Sequence, residues 1–424
     1  MGQIKPERRT RTDLIATAVI AAIVVVAGVL MWWTSSARQS ESVPATSDAP
    51  IQLPAENVPR QVSVSWSTPS EVTAIPQITR DSVVSANGGT VVAHAVADGK
   101  QRWRYSRNLP LCATAAGWSG GDNSVLAVFR NSRGCSEVMS LRASTGTRHM
   151  SRSSDADSEV HLSIDSSYAL LYGPTRLETW GSNLVRGIEY GRIDAPVNPD
   201  VTPGRSECRL YSALSGADRV AIVERCDGDP GYRLTVLSSN LTSDEKIRQW
   251  GSTLITTSAS SPPPRVIAAT DSTIAVYDGG GDQTGAVGVP GGPRIRLFSP
   301  QAEVRADHPV AGDPGAPVRS EPIAEQGVIS FWTGKSTVVL DATNATPLFQ
   351  VAGSIGAGTI MAGQLLVPMP GAISVRRAYD GREEFVIPVD RKDAAGREPA
   401  APVSLRVIGS TIVEQRDSNL VALH

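Results

Sequence analysis

The sequence predicts an all-β body, a β-propeller of four-stranded blades, preceded by one N-terminal transmembrane helix. Short alternating apolar runs are joined by turns such as Asp98-Gly99 and Asp380-Gly381, which are strong signals for β-hairpins. Turns of this design recur near residues 99, 146, 182, 240, 300, 344 and 381. Their average step of about 47 residues matches the length of one propeller blade.

Composition supports a turn-rich globular body. The chain has 424 residues, of which 41% are hydrophobic, with 38 Gly and 29 Pro. The net charge is -2 and the pI is near 6.3, so the chain lacks the basic character of a nucleic-acid-binding protein. We therefore expect no nucleic-acid partner.

The N-terminus predicts a single-pass membrane anchor. Leu14 to Trp33 carries no charged residue and is long enough to span about 30 Å of hydrocarbon as a helix. Four basic residues precede it: Lys5, Arg8, Arg9 and Arg11. The positive-inside rule then places residues 1–13 in the cytoplasm, residues 14–34 in the cell membrane and the rest outside the cell membrane. A cleaved signal peptide ending near Ser35-Ser36-Ala37 is the alternative.

The segment after the helix predicts a flexible tether. Residues 35–60 are rich in Ser, Pro and Ala and show no apolar periodicity, which is typical of a linker. The folded domain then covers residues 61–424. With about 25 residues, such a tether would reach roughly 25–30 Å from the membrane.

The number of blades follows from the two ends of the domain. The final segment, Ser404 to His424, supplies only three strands. Gln61 to Thr68 alternates like a strand and precedes the first complete blade. We predict that it forms the outer strand of an eighth blade and closes the ring. Seven blades remain the alternative, because the third and fifth units are irregular.

The repeat also carries a family resemblance. The stretch "VVAHAVADGKQRW", Val91 to Trp103, resembles the quinoprotein-type (PQQ-like) propeller repeat. The resemblance covers most of residues 61–424 and is sharpest in the first, second, sixth and seventh units. An anchor followed by such a domain is similar to uncharacterised membrane-anchored cell-envelope proteins of actinobacteria. It is also similar to the propeller subunit of outer-membrane assembly machinery, which is a scaffold.

The resemblance does not carry a cofactor with it. Quinone-dependent dehydrogenases on this fold use adjacent cysteines, a Trp floor, and carboxylate and amide ligands to calcium, but this chain has no adjacent cysteines. Four tryptophans recur near predicted outer strands, where they would pack between blades: Trp66, Trp103, Trp180 and Trp250. We therefore expect no cofactor, no metal and no enzymatic activity.

Short catalytic patterns in the chain favour turns. "GWSGG" around Ser119 matches a nucleophile elbow, but that elbow needs a following helix, and here a strand-like run follows. "GKS" at Gly334 to Ser336 lacks the first Gly of a phosphate loop. "CDGDPGY" from Cys226 lacks calcium-loop spacing. The histidines show no metal-ligand spacing; they are His94, His149, His161, His308 and His424.

The four cysteines predict two disulfides in an exported domain. Cys112 and Cys135 belong to one predicted blade, and Cys208 and Cys226 repeat the arrangement two blades later. Pairing within a blade encloses short loops, and neighbouring antiparallel strands bring Cα atoms to a suitable separation. We predict the pairs Cys112–Cys135 and Cys208–Cys226.

Two functions remain open at this point. A Gly-rich insertion, Tyr277 to Pro293, suggests a candidate partner-binding loop at Gly279, Gly280, Gly281, Asp282 and Gln283. The first function is a membrane-tethered, non-catalytic scaffold or accessory protein that binds protein partners in a cell-envelope complex. The alternative is a propeller that binds a small ligand, a glycan or a quinone in its channel, including a quinone-dependent oxidoreductase.

Overall fold

The computed structural model describes residues 10–35, 38–121, 123–193, 205, 207–255, 262–280, 291–312, 320–393, 395–400 and 402–424. Within these residues, one helix is followed by 33 strands in eight separate sheets. In each sheet, strands that are consecutive in sequence pair antiparallel, as in the blades of a propeller, and two sheets add one strand from the N-terminal segment. The prediction of an all-β propeller is therefore confirmed.

The helix, α1, covers Arg11–Thr34. It begins at a capping box, in which the backbone N–H of Asp13 donates to Thr10 Oγ1 and the Thr10 N–H donates to the Asp13 carboxylate. The helix is long and apolar enough to cross a membrane. None of its residues is buried against the rest of the protein, which fits a helix whose apolar surface faces lipid.

Two strands precede the first regular blade: β1 (Ser40–Val43) and β2 (Val64–Pro69). Blade 1 contains β3 (Gln77–Ile78), β4 (Ser82–Asn87), β5 (Thr90–Ala95) and β6 (Gln101–Arg107). Blade 2 contains β7 (Leu111–Gly117), β8 (Ser124–Asn131), β9 (Gly134–Arg142) and β10 (Arg148–Ser153). Blade 3 contains β11 (His161–Ile164), β12 (Tyr168–Tyr172), β13 (Arg176–Gly181) and β14 (Arg186–Gly191).

Blade 4 contains β15 (Arg209–Gly216), β16 (Arg219–Arg225), β17 (Arg233–Leu241) and β18 (Ile247–Leu254). Blade 5 contains β19 (Arg265–Ala269), β20 (Ile274–Asp278), β21 (Arg294–Phe298) and β22 (Val304–Pro309). Blade 6 contains β23 (Ile323–Glu325), β24 (Val328–Trp332), β25 (Ser336–Asp341) and β26 (Pro347–Ala352). Blade 7 contains β27 (Thr359–Met361), β28 (Gln364–Met369), β29 (Ala372–Arg377) and β30 (Glu383–Pro388).

Blade 8 joins the two ends of the domain. Its first three strands are β31 (Ser404–Ile408), β32 (Thr411–Arg416) and β33 (Asn419–Leu423). Its fourth strand is β2, which pairs antiparallel with β33 in a register that places Trp66 opposite Ala422. The prediction of eight blades closed by an N-terminal strand is confirmed. Closure leaves β33 no open edge.

Aromatic side chains pack between neighbouring blades. Trp103, on the outer strand of blade 1, donates from Nε1 to the carbonyl of Ala143 in blade 2, and its ring covers Gly146. Trp66 of blade 8 makes the same contact with blade 1, donating to the carbonyl of Val96 and covering Gly99. Each glycine has a positive φ, and an added Cβ would meet the ring at 2.5–2.7 Å. The recurring Gly therefore leaves room for the ring of the preceding blade.

The segment predicted as a flexible tether contains ordered structure. β1 pairs with β6 as a fifth strand of blade 1, the Gln52 N–H donates to the Arg80 carbonyl at 2.9 Å, and Val58 belongs to the core of blades 7 and 8. Composition missed these contacts because they are made by the backbone and by one isolated apolar side chain. Residues 35–39 separate α1 from β1.

The N-terminal segment runs around the propeller in a defined direction. On one face of the propeller, each blade connects to the next, and we call it the connection face. We call the opposite face the turn face. The Asn108 N–H donates to the Gln39 carbonyl at the connection face. From there β1 runs along β6 to the turn face. The chain crosses this face past Thr145 and Gly409. It then enters blade 8 as β2. The segment thus joins the membrane helix directly to the strand that closes the ring.

Candidate functional site

The first strands of the blades surround a central channel. They line a cavity of about 360 Å³ on the side of blades 2–6. The wall is formed mainly by small or apolar side chains, including Ala113, Ala115, Leu162, Ile164, Leu214 and Ile267. A second cavity, of about 650 Å³, lies on the connection face and shares His161 and Tyr172 with the first. The two cavities form a path from the connection face into the channel.

Four polar side chains gather where this path enters the channel. His161 starts β11, and its ring stacks on Tyr172 of the paired strand, with centroids 4.9 Å apart and planes at 17°. Glu321, in the connection to blade 6, lies 3.8 Å from His161 Nδ1 and pairs with Arg265 of blade 5 at 2.9 Å. We call His161, Tyr172, Arg265 and Glu321 the mouth cluster.

The surroundings of the mouth cluster shift its ionisation. Burial raises the pKa of Tyr172 to about 12, and the charge of Glu321 adds to this effect. Packing around the imidazole lowers the pKa of His161, although Glu321 opposes the shift. Burial tends to lower the pKa of Arg265, but the charge and hydrogen bond of Glu321 raise it on balance. At neutral pH the cluster therefore contains one ion pair and two neutral rings.

A second ion pair lies farther along the first strands, toward the turn face. Arg406 of blade 8, which lines the channel cavity, contacts Glu325 of blade 6 with an N–O distance of 2.8 Å. Glu325 also accepts a hydrogen bond from the Thr359 hydroxyl of blade 7. Glu321 and Glu325 are thus each paired with an arginine from another blade.

The predicted disulfides are both present. Cys112 and Cys135 are bonded in blade 2, with Cα atoms 6.0 Å apart, and Cys208 is bonded to Cys226 in blade 4. Glu224 lies close to the second pair, and these three residues have the proximity of a metal site. Because both sulfur atoms are committed to the disulfide, they are not available as thiolate ligands.

The candidate partner-binding loop is only partly within the described residues. Gly279 and Gly280 are buried at the end of β20, and Gly280 adopts a φ of +69° that brings its backbone against Gly291. Gly281, Asp282 and Gln283 lie outside the described residues. Partner binding by this loop remains a prediction.

The short catalytic patterns occupy turns. Ser119 lies in the connection between β7 and β8, and a strand follows it where a nucleophile elbow needs a helix. Gly334 and Lys335 form the hairpin turn between β24 and β25. His94 packs on Trp66 and hydrogen-bonds to Ser85 and the Gly99 carbonyl, so its contacts support the blade 8–blade 1 contact.

Sequence reasoning missed the mouth cluster. It treated His161 as one of several scattered histidines and did not single out Tyr172, Arg265 or Glu321. The available signal was position: His161 and Arg265 each begin the first strand of a blade, and such positions meet at the channel mouth in every propeller. To predict the site from these positions, each strand must first be assigned to its blade.

Comparison with known proteins identifies the fold but no family. No protein-family model matches the chain, and no curated protein sequence matches it. Among solved structures, the chain is similar to dihydro-heme d1 dehydrogenase NirN in complex with DHE, with 12% identity, a TM-score of 0.50, and coverage of 83% of this chain and 78% of that one. It also matches a chain of the S. cerevisiae complex of Dbp5 with Nup159, Gle1, IP6 and ADP, with 10% identity, a TM-score of 0.47, and coverage of 89% and 98%. At these identities the first similarity supports the propeller fold alone, and the second carries no argument.

Proposed function

We propose that this protein is a membrane-anchored, extracytoplasmic scaffold whose propeller binds protein partners of the cell envelope without catalysing a reaction. The observation that carries the proposal is the direct connection from α1 into the rim of blade 1. Only residues 35–39 separate the helix from β1. At about 3.3–3.6 Å per residue, this link spans at most roughly 20 Å.

The short link favours partners within or beside the membrane. Gln39 is fixed to Asn108 at the connection face, so this corner of the propeller stays close to the bilayer. Confinement raises the effective concentration of the propeller for neighbouring membrane proteins. The reach is shorter than the 25–30 Å that an unstructured tether would give, because residues 40–60 follow the propeller surface.

The chemistry of the channel supports binding over catalysis. Glu321 on the channel wall and Glu325 at the end of β23 are each paired with an arginine, which makes them poorer candidates for a general base or a nucleophile. The two disulfides support an exported domain, because such bonds persist outside the cytosol.

Site-specific photo-crosslinking in intact cells tests the proposal. A photoreactive residue is placed at Arg133, in the exposed turn between β8 and β9 on the connection face, and as a matched control at Tyr379, which is 61% exposed on the turn face. We expect discrete adducts with a membrane protein from Arg133 and fewer from Tyr379. Absence of discrete adducts from both faces, or an enzymatic activity that follows the purified protein, would overturn the scaffold proposal.

Orientation is tested by labelling. All four native cysteines are in disulfides, so an Arg133→Cys variant offers one reactive thiol. A membrane-impermeant maleimide should label it in intact cells, since the positive-inside rule exports the propeller. Labelling that requires cell lysis would reverse the proposed topology.

A further inference from the structure

The channel cavity has the size and composition of a small-molecule site. Its volume of about 360 Å³ lies within the usual range of roughly 300–1,000 Å³ for ligand pockets. Alanines on three first strands provide much of this space: Ala113 and Ala115 of blade 2, Ala213 of blade 4 and Ala269 of blade 5. The cavity therefore accommodates a compact organic molecule.

The charges on the cavity wall select against an anionic ligand. Glu321 is paired with Arg265, and Arg406 is paired with Glu325. Asp165 accepts hydrogen bonds from the backbone N–H groups of the turn that follows it. An anion that entered would lose hydration and would meet no arginine that lacks a carboxylate partner, which is costly.

One polar group with spare hydrogen-bonding capacity faces the same cavity. His161, at the start of β11, is held by its stacking on Tyr172 and lies too far from Glu321 for a direct hydrogen bond.

The cavity is open to a ligand from the connection face. The side chain of His161 is 59% exposed, and it borders both the channel cavity and the larger cavity outside it. Val72, Val160 and Cys112 complete the passage between the two. A ligand can therefore reach the channel cavity past the mouth cluster without opening a blade.

We propose that the channel between blades 2 and 6 binds a neutral, compact and largely apolar organic molecule that carries a hydroxyl or carbonyl group. The apolar body packs on the alanine-rich first strands, and the polar group hydrogen-bonds to His161. This site is independent of the scaffold proposal, since it requires neither a protein partner nor a particular membrane orientation.

The test compares a neutral probe with its charged analogue on the full chain in nanodiscs. Binding of 2-naphthol and of 2-naphthoate is measured by isothermal titration calorimetry, with empty nanodiscs subtracted to correct for partition into lipid. We expect 2-naphthol to bind at least about tenfold more tightly than 2-naphthoate, because the carboxylate finds no free counter-charge. Equal affinity for the two probes, or no binding of 2-naphthol, would overturn the proposal.

Variants locate the site. Leu162→Trp fills the cavity and should abolish 2-naphthol binding, while His161→Phe keeps a ring beside Tyr172, removes the imidazole and should weaken binding about fivefold to tenfold. Thr343→Val, in an exposed turn of blade 6, is the matched control and should change nothing. All variants are first checked for an unchanged melting temperature, and any that unfolds is replaced by Leu214→Phe, which also fills the cavity. Unchanged binding in both Leu162→Trp and His161→Phe would show that the probe binds elsewhere.

Discussion

Neighbouring blades are held together by different side-chain contacts at two interfaces: the one between blades 1 and 2, and the one between blades 3 and 4. In the first, the fully buried Trp103 covers Gly146 and donates to the Ala143 carbonyl. In the second, Tyr190 on the outer strand of blade 3 donates to the carboxylate of Glu224 in blade 4 at 2.9 Å. We call these the aromatic–glycine interface and the tyrosine–glutamate interface.

The tyrosine–glutamate interface contains a buried polar network. Glu224 is fully buried and also accepts from the Thr235 hydroxyl at 2.5 Å, while Arg205 lies 3.5 Å away. Burial raises the pKa of Glu224 despite these partners, and it raises the pKa of Tyr190 as well. The contact between Tyr190 and Glu224 therefore depends on protonation, whereas the contact between Trp103 and Gly146 involves no titratable side chain.

This difference in side-chain contacts explains in which blades the repeat can be recognised from the sequence. Phe349 of blade 6 covers Gly381 of blade 7 in the same manner as Trp103 and Gly146, so the sharpest repeats coincide with aromatic–glycine contacts. In blade 4 the corresponding turn, residues 242–246, contains no glycine, and the contact from blade 3 uses hydrogen bonds from Tyr190 instead. The repeat is hard to recognise in the sequence when the side chains at the blade interface differ, although the blade keeps its fold.

The largest expected effect comes from removing the contact between blades 8 and 1, in which Trp66 covers Gly99 as Trp103 covers Gly146. Deleting Gln61 to Thr68 removes β2 with Trp66 and exposes the edge of β33. We expect a loss of stability of about 5 kcal/mol or more together with aggregation. Thermal unfolding and size-exclusion chromatography measure both. Deleting Ser40 to Val43, which form only an additional fifth strand, is the matched control. An unchanged melting temperature after the first deletion would contradict closure by β2.

Truncation of a single aromatic residue should separate the two interfaces. Trp103→Ala should cost about 3–5 kcal/mol, since it leaves a cavity between blades 1 and 2. Tyr190→Phe keeps the ring, removes one buried hydrogen bond and should cost about 1–2 kcal/mol. Denaturant unfolding measures both values. Similar costs for the two variants would mean that the interfaces do not differ in the way described.

The glycine partner of Trp103 supplies the next test. Gly146→Ala places a Cβ 2.5 Å from the Trp103 ring at a φ of +70° and should destabilise the protein by roughly 2 kcal/mol. Gly88 also has a positive φ but has open space around it, so Gly88→Ala should cost about 1 kcal/mol from the backbone alone. In the double variant Gly146→Ala, Trp103→Ala, the two costs should not add, because the residues are in contact. Additive costs would argue against direct contact.

The smallest expected effect is a difference in pH dependence between two buried glutamates. The folded-state pKa of Glu224 is raised, so its contribution is complete below the ordinary Glu pKa and is lost as pH rises through the folded value. For Glu178, in blade 3, burial opposes the shift but Arg176 and Arg152 lower the pKa, so its contribution is lost as pH falls.

Unfolding of Glu224→Gln and Glu178→Gln across the acidic range measures this contrast. Relative to the native protein, Glu224→Gln should be penalised more at acidic pH, and Glu178→Gln more at neutral pH. The native protein measured at each pH is the control. Parallel curves for the two variants would remove the proposed role of protonation in the tyrosine–glutamate interface.

Much of the architecture was predictable because it rests on local contacts. Hairpin turns such as Asp98-Gly99 join strands that pair with their sequence neighbours. Such hairpins can therefore be recognised from the sequence alone. The pairs Cys112–Cys135 and Cys208–Cys226 close loops within one blade and were predictable for the same reason. The eighth blade followed from counting strands at the two ends of the domain.

The sequence by itself thus determined the blade repeat, the closure of the ring by Gln61 to Thr68, both disulfides and an apolar helix of membrane-spanning length. Only the tertiary structure decided the path of residues 40–60 and the assembly of the mouth cluster. Those contacts join distant parts of the chain: His161 meets Glu321 from another blade, and Gln52 meets Arg80 across a turn. No spacing rule links such residues, because their separation depends on how the blades are arranged around the channel, and this is settled only when the ring closes.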